Sequence, residues 1–199
     1  MSQNLQKTIS NEIQLEGIGL HTGLKVNLKI KPSDANTGIL FKRTDVEENK
    51  SIIEANFENV DAPVLCTRIK NSYGISVSTI EHLMASFYGE GIDNALVELD
   101  APEVPIMDGS AFDFVEAIRA AGTTSQEFEK KFIQVLKKVE IKDGSKFISI
   151  EPLKNDLIVD FEIVYENPLI RTRRKTFKLS DGDLSEIYAS RTFCLYEDI

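Results

Sequence analysis

A single change of hydrophobic period, at Ser78, constrains this chain more than any other feature, because it separates a run of short strands from amphipathic helices. Ahead of it, Val26, Leu28 and Ile30 alternate with Asn27 and Lys29, and residues 38–42 repeat the β-rich character after the turn-rich PSDANTG. Pro32, Asp34, Asn36 and Gly38 supply the chemistry of a strand connection, so the two runs are expected to form a hairpin. Residues 51–69 and 73–77 read as further short strands, punctuated by Asn71 and Gly74. From Ser78 onward, Ile80, Leu83, Met84 and Phe87 fall at i, i+3, i+4 and i+7, the stripe of a helix that Gly89 and Gly91 stop. Ser78 or Thr79 can cap it, leaving Glu81 and His82 in its first turn.

Beyond this helix, residues 95–99 read as a buried strand, and a second helix begins at Ser110 with Asp113 at capping-box spacing and ends at Gly122. Residues 121–127, with Gly, Thr and Ser, are the expected linker. Strands follow over 132–141, 146–151 and 157–165, and a helix begins near Leu184. The class is therefore α+β, with a first domain over 1–126 and part of a second over 127–199.

Composition narrows the function. Thirty-two acidic against 23 basic side chains give a formal charge of −9, a field that argues against nucleic-acid partners and anionic lipid surfaces. No uncharged apolar run approaches the roughly 18 residues of a membrane span, and the opening residues lack the apolar core and cleavage site of a signal peptide. A soluble cytoplasmic protein without stable membrane insertion is expected. The two cysteines, Cys66 and Cys194, are far apart without metal-type spacing, which suits a reducing compartment. With only two histidines, His21 and His82, the chain cannot place three imidazoles on one metal.

Glu81 and His82 are the most suggestive pair: in a first turn both can flank one site, the His ligating a metal and the Glu taking a proton from bound water. Spacing alone leaves open a solvated Glu and a hydrogen-bonded His on a helix surface. His82 is followed by LMAS, so no H-E-x-x-H motif exists. His21 lies in GIGLHTG, where three glycines suit a ligand-lining loop or an ordinary tight strand connection. Asp108 can orient a histidine or bind a ligand, but a turn formed by Asp108 and Gly109 ahead of a helix is the commoner reading. Lys42, Arg43 and the cluster Arg171, Arg173, Arg174 and Lys175 can bind a diphosphate or form a solvated face, the latter favoured. Cys66, in VLCTR, reads as a buried structural thiol rather than a nucleophile.

The strings GIGLHTG, ANTGILFKR, LCTRI, STIEHLMASFYGEGIDN and PEVPIMDGS, in this order, with RTFCLYEDI at the end, resemble the UDP-3-O-acyl-N-acetylglucosamine deacetylases, zinc amidases of lipid A biosynthesis. The resemblance implies a pair of similar α+β domains, each a sheet with two helices, packed with the helices between the sheets. It implies hydrolysis of the N-acetyl group of UDP-3-O-((R)-3-hydroxyacyl)-N-acetylglucosamine to a free amine and acetate, with Zn2+ as cofactor. Glu81 then corresponds to the general base and His82 to a zinc ligand, with Leu65 and Cys66 beside the substrate. Thr192 corresponds to the oxyanion-stabilising hydroxyl and Phe193 to a substrate contact, while His21 takes a structural or pocket-lining part. A monomer is expected at full length.

The family's other zinc ligands lie in an H-K-x-x-D motif and its catalytic histidine further on, and neither occurs in these 199 residues. The chain is therefore expected to be the N-terminal portion of such an enzyme. It should be inactive alone and aggregation-prone where uncovered sheet is exposed. The competing expectation is a non-catalytic remnant that binds a nucleotide sugar or acyl chain.

Overall fold

The computed structural model describes residues 4–62, 65–154 and 156–193. They divide into two compact units, the first holding the described residues up to Lys130 and those from Glu186 onward, the second Lys131–Ser185.

The first unit runs β1 (Leu5–Ile9), β2 (Ile13–Ile18), β3 (Lys25–Pro32), β4 (Ile39–Arg43), β5 (Ile52–Glu54), β6 (Val60–Asp61), β7 (Arg68–Lys70), β8 (Ser76–Val77), α1 (Glu81–Glu90), β9 (Ala95–Leu99), α2 (Phe112–Ala121) and β10 (Thr123–Glu129). Its main sheet has the order β2-β3-β9-β4-β5. The expected hairpin between β3 and β4 does not form. Instead β9 lies between them, antiparallel to β3 (Leu28↔Leu99 to Pro32↔Ala95) and parallel to β4 (Ile39↔Ala95 to Arg43↔Leu99). Ala95, Val97 and Leu99 are fully or almost fully buried, so this apolar strand belongs at the centre, and the 33–38 turn has only to step over one strand, about 10 Å. A parallel neighbour requires a crossover, and the segment carrying α1 supplies it.

The true hairpin joins β2 to β3, paired from Ile13↔Ile30 to Ile18↔Lys25, with the GLHTG stretch as its connection. There the Gly19 N–H donates to the Leu24 carbonyl and the Gly23 N–H to the Gly19 carbonyl, both at 2.9 Å. Gly23 has φ +64°, which only glycine adopts freely.

Residues 123–127, read above as linker, form most of β10, which pairs with β1 through Lys7↔Ser125, Thr8↔Thr124 and Ile9↔Thr123. Thr and Ser suit turns and strands alike, and here Gln126 decides: its amide accepts from Asn94 Nδ2 and donates to the Ser33 carbonyl, each at 2.8 Å.

Helix α1 buries most of the stripe its spacing predicts, and α2 buries a stripe of its own. Ile80, Leu83 and Phe87 of the α1 stripe and Phe114, Val115 and Ile118 of α2 are buried, most of them in one core with Val26, Leu28, Phe41 and Val97. Gly91 (φ +73°) and Gly122 (φ +74°) follow their last turns. Gly89 does not stop α1 but lies within it, where a Cβ would overlap the Tyr188 ring. The caps also differ from expectation. Neither Ser78 nor Thr79 caps α1, and at α2 Ser110 Oγ accepts the Phe112 N–H at 3.1 Å without the reciprocal bond from Asp113 that a capping box requires.

The second unit contains two hairpins, β11 (Val139–Asp143) with β12 (Lys146–Ile150) and β13 (Ile158–Val164) with β14 (Thr172–Lys178). Residues 132–138, expected in a strand, lie outside any strand. Phe147, Ile148, Phe161 and Val164 are all more than 60% exposed. A short helix, α3 (Ser185–Tyr188), follows where one was expected near Leu184.

The basic cluster lies on and beside β14 as an exposed strand face. The Arg174 guanidinium and the Thr176 hydroxyl on Asp160 hold that carboxyl down from its ordinary value of 3.8 to about 2. A carboxyl whose folded pKa is depressed adds stability above its unfolded pKa and loses it as pH falls through the folded one. Protection factors for amide exchange in β13 and β14, taken against the intrinsic rate at each pH, should therefore fall between about pH 4 and 2. Asp160→Asn should abolish that step, with a small amplitude because the pair is exposed.

Candidate functional site

The first turn of α1 is tied to the segment that leads into β7. The Thr67 carbonyl accepts the Ile80 N–H at 3.3 Å, and the Thr67 N–H donates to Glu81 Oε2 at 3.0 Å. Thr67 thus holds both the entry to the helix and one oxygen of the carboxylate, leaving Oε1 without a partner among the described residues. An acidic residue suits this position, where the orphan N–H groups and the dipole of a helix favour negative charge. His82, next along, is half-buried and has no hydrogen-bond partner among the described residues. Leu65 and Cys66 immediately precede Thr67. Leu65 is 73% exposed with φ +58°, and Cys66 is a half-buried free thiol, less enclosed than the sequence implied. The backbone therefore brings Leu65 and Cys66 to Glu81.

Beneath this turn lies Glu103, a residue the sequence reading did not single out. It is fully buried, and it accepts from Thr79 Oγ1 at 2.7 Å, Thr22 Oγ1 at 2.8 Å, the Thr22 N–H at 2.9 Å and the His21 N–H at 3.1 Å. Burial alone would push its carboxyl up, but Thr79, His21 and Thr22 together outweigh that and hold it below the usual range. His21 meets this cluster through its backbone, while its side chain is exposed. The signal for Glu103 was present: it is the lone charge among the apolar residues and prolines of APEVPIM.

Thr192 and Phe193 belong to a strap that returns along the turn ahead of α2. The Thr192 N–H donates to the Gly109 carbonyl at 2.8 Å and the Ala111 N–H to the Tyr188 carbonyl at 3.1 Å. Arg191 reaches Asp108 Oδ2 through its Nε at 3.2 Å and a terminal nitrogen at 3.1 Å. The Ser110 hydroxyl and N–H, aided by Arg191, hold the Asp108 carboxyl below its ordinary range against the opposing pull of desolvation. Tyr188 is buried on this strap, with the Arg119 guanidinium 5.5 Å above its ring. An open cleft on the Asp108 side is lined by Glu16, Ile18, Met107 and Asp113 among others, and its lining includes neither Glu81 nor His82. Lys42 and Arg43 are engaged internally, Lys42 on Glu48 and Arg43 on Asp45 and the Ser76 carbonyl. Cys194 and the rest of the CLYEDI terminus lie outside the described residues.

Residues 6–199 match the family described as UDP-3-O-acyl N-acetylglycosamine deacetylase. The chain belongs to that family. Relatives named UDP-3-O-acyl-N-acetylglucosamine deacetylase include those of Shewanella violacea (41% identical), Vibrio campbellii (42%) and Aliivibrio fischeri (41%), each over 197 residues and 98% of this chain. The chain spans 64% of the length of these curated relatives.

The strings that carry the resemblance fall where the first unit converges: GIGLHTG and PEVPIMDGS meet at Glu103, and LCTRI and STIEH meet at Thr67. Among the described residues of this deacetylase-family chain, no three His, Cys, Asp or Glu side chains come together as a metal-binding set. His82 offers the imidazole that zinc accepts, but one imidazole does not hold zinc, so the described residues do not form a zinc site by themselves. No helix among them is long and apolar enough to cross a membrane.

Proposed function

We propose that the whole protein is a zinc-dependent deacetylase that hydrolyses the N-acetyl group of UDP-3-O-((R)-3-hydroxyacyl)-N-acetylglucosamine, releasing acetate and a free amine, as the committed step of lipid A biosynthesis. The observation that carries this reading is the Glu81 carboxylate, fixed through Oε2 by Thr67, with neither Oε1 nor the adjacent His82 imidazole partnered among the described residues. His82, together with ligands outside the described residues, would hold zinc, which would supply polarisation of the acetyl carbonyl and acidification of water. Glu81 Oε1 takes the proton of the attacking water. The Thr192 hydroxyl donates to the oxygen on which negative charge develops, and Leu65, Cys66 and Phe193 line the bound substrate. The two-domain division at 126/127, a monomeric state and a cytoplasmic location without nucleic-acid partners belong to the same proposal.

The test is acetate release from that substrate by the purified whole protein, with zinc content measured in parallel. We expect about one zinc per chain, acetate and amine in equal amounts, and loss of both zinc and turnover in His82→Ala. Substrate binding without acetate release by the zinc-loaded protein would overturn the reading in favour of a binding protein.

A further inference from the structure

We propose that Glu103 is a positioning residue whose buried carboxylate holds Thr79 in a left-handed conformation and the His21–Thr22 loop against it, thereby fixing the start of α1 that carries Glu81 and His82. The catalytic consequence rests on the function proposed above, while the positioning itself does not.

Three local costs coincide at this point. First, Glu103 is buried without a cation: among the described residues its partners are two hydroxyls and two backbone N–H groups. A carboxylate in such a place is unfavourable unless its hydrogen bonds are complete. Second, Thr79 has φ +57°, a region that β-branched residues avoid. Third, the Thr79 hydroxyl, well placed in sequence to cap α1, donates to Glu103 instead, and α1 has no side-chain cap. Strain of this kind persists only where the surroundings over-determine it, and it clusters at functional sites.

The surroundings are fixed on both sides. The Ser78 N–H donates to the Pro102 carbonyl at 2.9 Å and the Val104 N–H to the Ser78 carbonyl at 3.0 Å, so Glu103 is held beside Thr79 by backbone pairing. On the other flank, a Cβ at Gly19 would collide with the Thr22 hydroxyl and the Glu103 carboxylate, so only glycine lets the loop close over the acid. Thr79 is followed by Ile80, whose N–H bonds to Thr67, and then by Glu81. A shift at Thr79 is transmitted directly to the carboxylate.

Glu103→Gln, Thr79→Val and Thr79→Ser in the whole zinc-loaded protein test this. Gln presents an NH2 group to at least one of the donors now facing Glu103, and Val keeps the shape of Thr without its hydroxyl. We expect both to lower kcat about 10- to 100-fold with KM within about threefold, to weaken zinc binding in chelator competition and to speed amide exchange at 80–83. Thr79→Ser should restore wild-type values. If Glu103→Gln does not fold, Thr79→Val, which removes one hydroxyl only, decides alone. A lowered Tm with unchanged kcat, zinc affinity and exchange would reduce Glu103 to a structural residue and overturn the proposal, as would a Ser variant no better than Val. A wild type without turnover defeats the functional reading instead, and exchange at 80–83 still decides the positioning.

Discussion

Glu81→Gln is expected to keep its zinc and its melting temperature while kcat falls about 10²- to 10⁴-fold, the usual worth of a positioned general base. The amide oxygen of Gln can still accept the Thr67 N–H that now reaches Oε2, so the tie between the helix start and the 65–67 segment survives. What disappears is the open oxygen that takes a proton. The measurement is kcat at saturating substrate for the whole protein, alongside metal analysis and a thermal melt of the same preparations. A loss below about tenfold would remove Glu81 from the role of base.

The largest expected effect on stability lies two turns further along the same helix. Phe87 is 1% exposed, and Phe87→Ala should cost about 3–5 kcal/mol by removing apolar burial and leaving a cavity that the sheet and α2 cannot fill completely. Tyr88, its neighbour, is 59% exposed, and Tyr88→Ala should change stability by no more than about 0.5 kcal/mol. Urea unfolding midpoints at constant m separate the two. Similar losses for both would mean that α1 does not bury the stripe formed by Ile80, Leu83 and Phe87.

That stripe was legible in the sequence because helix burial depends on residues three and four apart, all within one short segment. The 95–99 strand and the Gly122 stop were legible for the same local reason. Strand neighbours were not. Residues 26–30 and 38–42 looked like a hairpin because they are adjacent in sequence, whereas pairing is decided by β9, which arrives much later in the chain. The 123–127 segment carries residues equally at home in a loop, and its partners, β1, Ser33 and Asn94, are distant in sequence. At the candidate site, Glu81 and His82 were visible as a pair and Leu65 and Cys66 by resemblance. The Thr67 link between them starts from a backbone N–H, a donor that every residue but proline carries, so the sequence does not mark it. Glu103 stands out as a lone charge, but its role is not legible in sequence because its four donors come from two loops that only the fold brings together.

The central position of β9 also sets a timetable for synthesis. β4 ends at Arg43 and β9 begins at Ala95, so a ribosome adding roughly 5–20 residues per second leaves β3 and β4 without their common neighbour for some 3–10 s. During that interval the facing edges of both strands are unpaired, and another nascent chain can occupy the slot meant for β9. Slower translation across 44–94 prolongs this exposure, whereas faster translation or a chaperone bound to the emerging strands shortens or shields it.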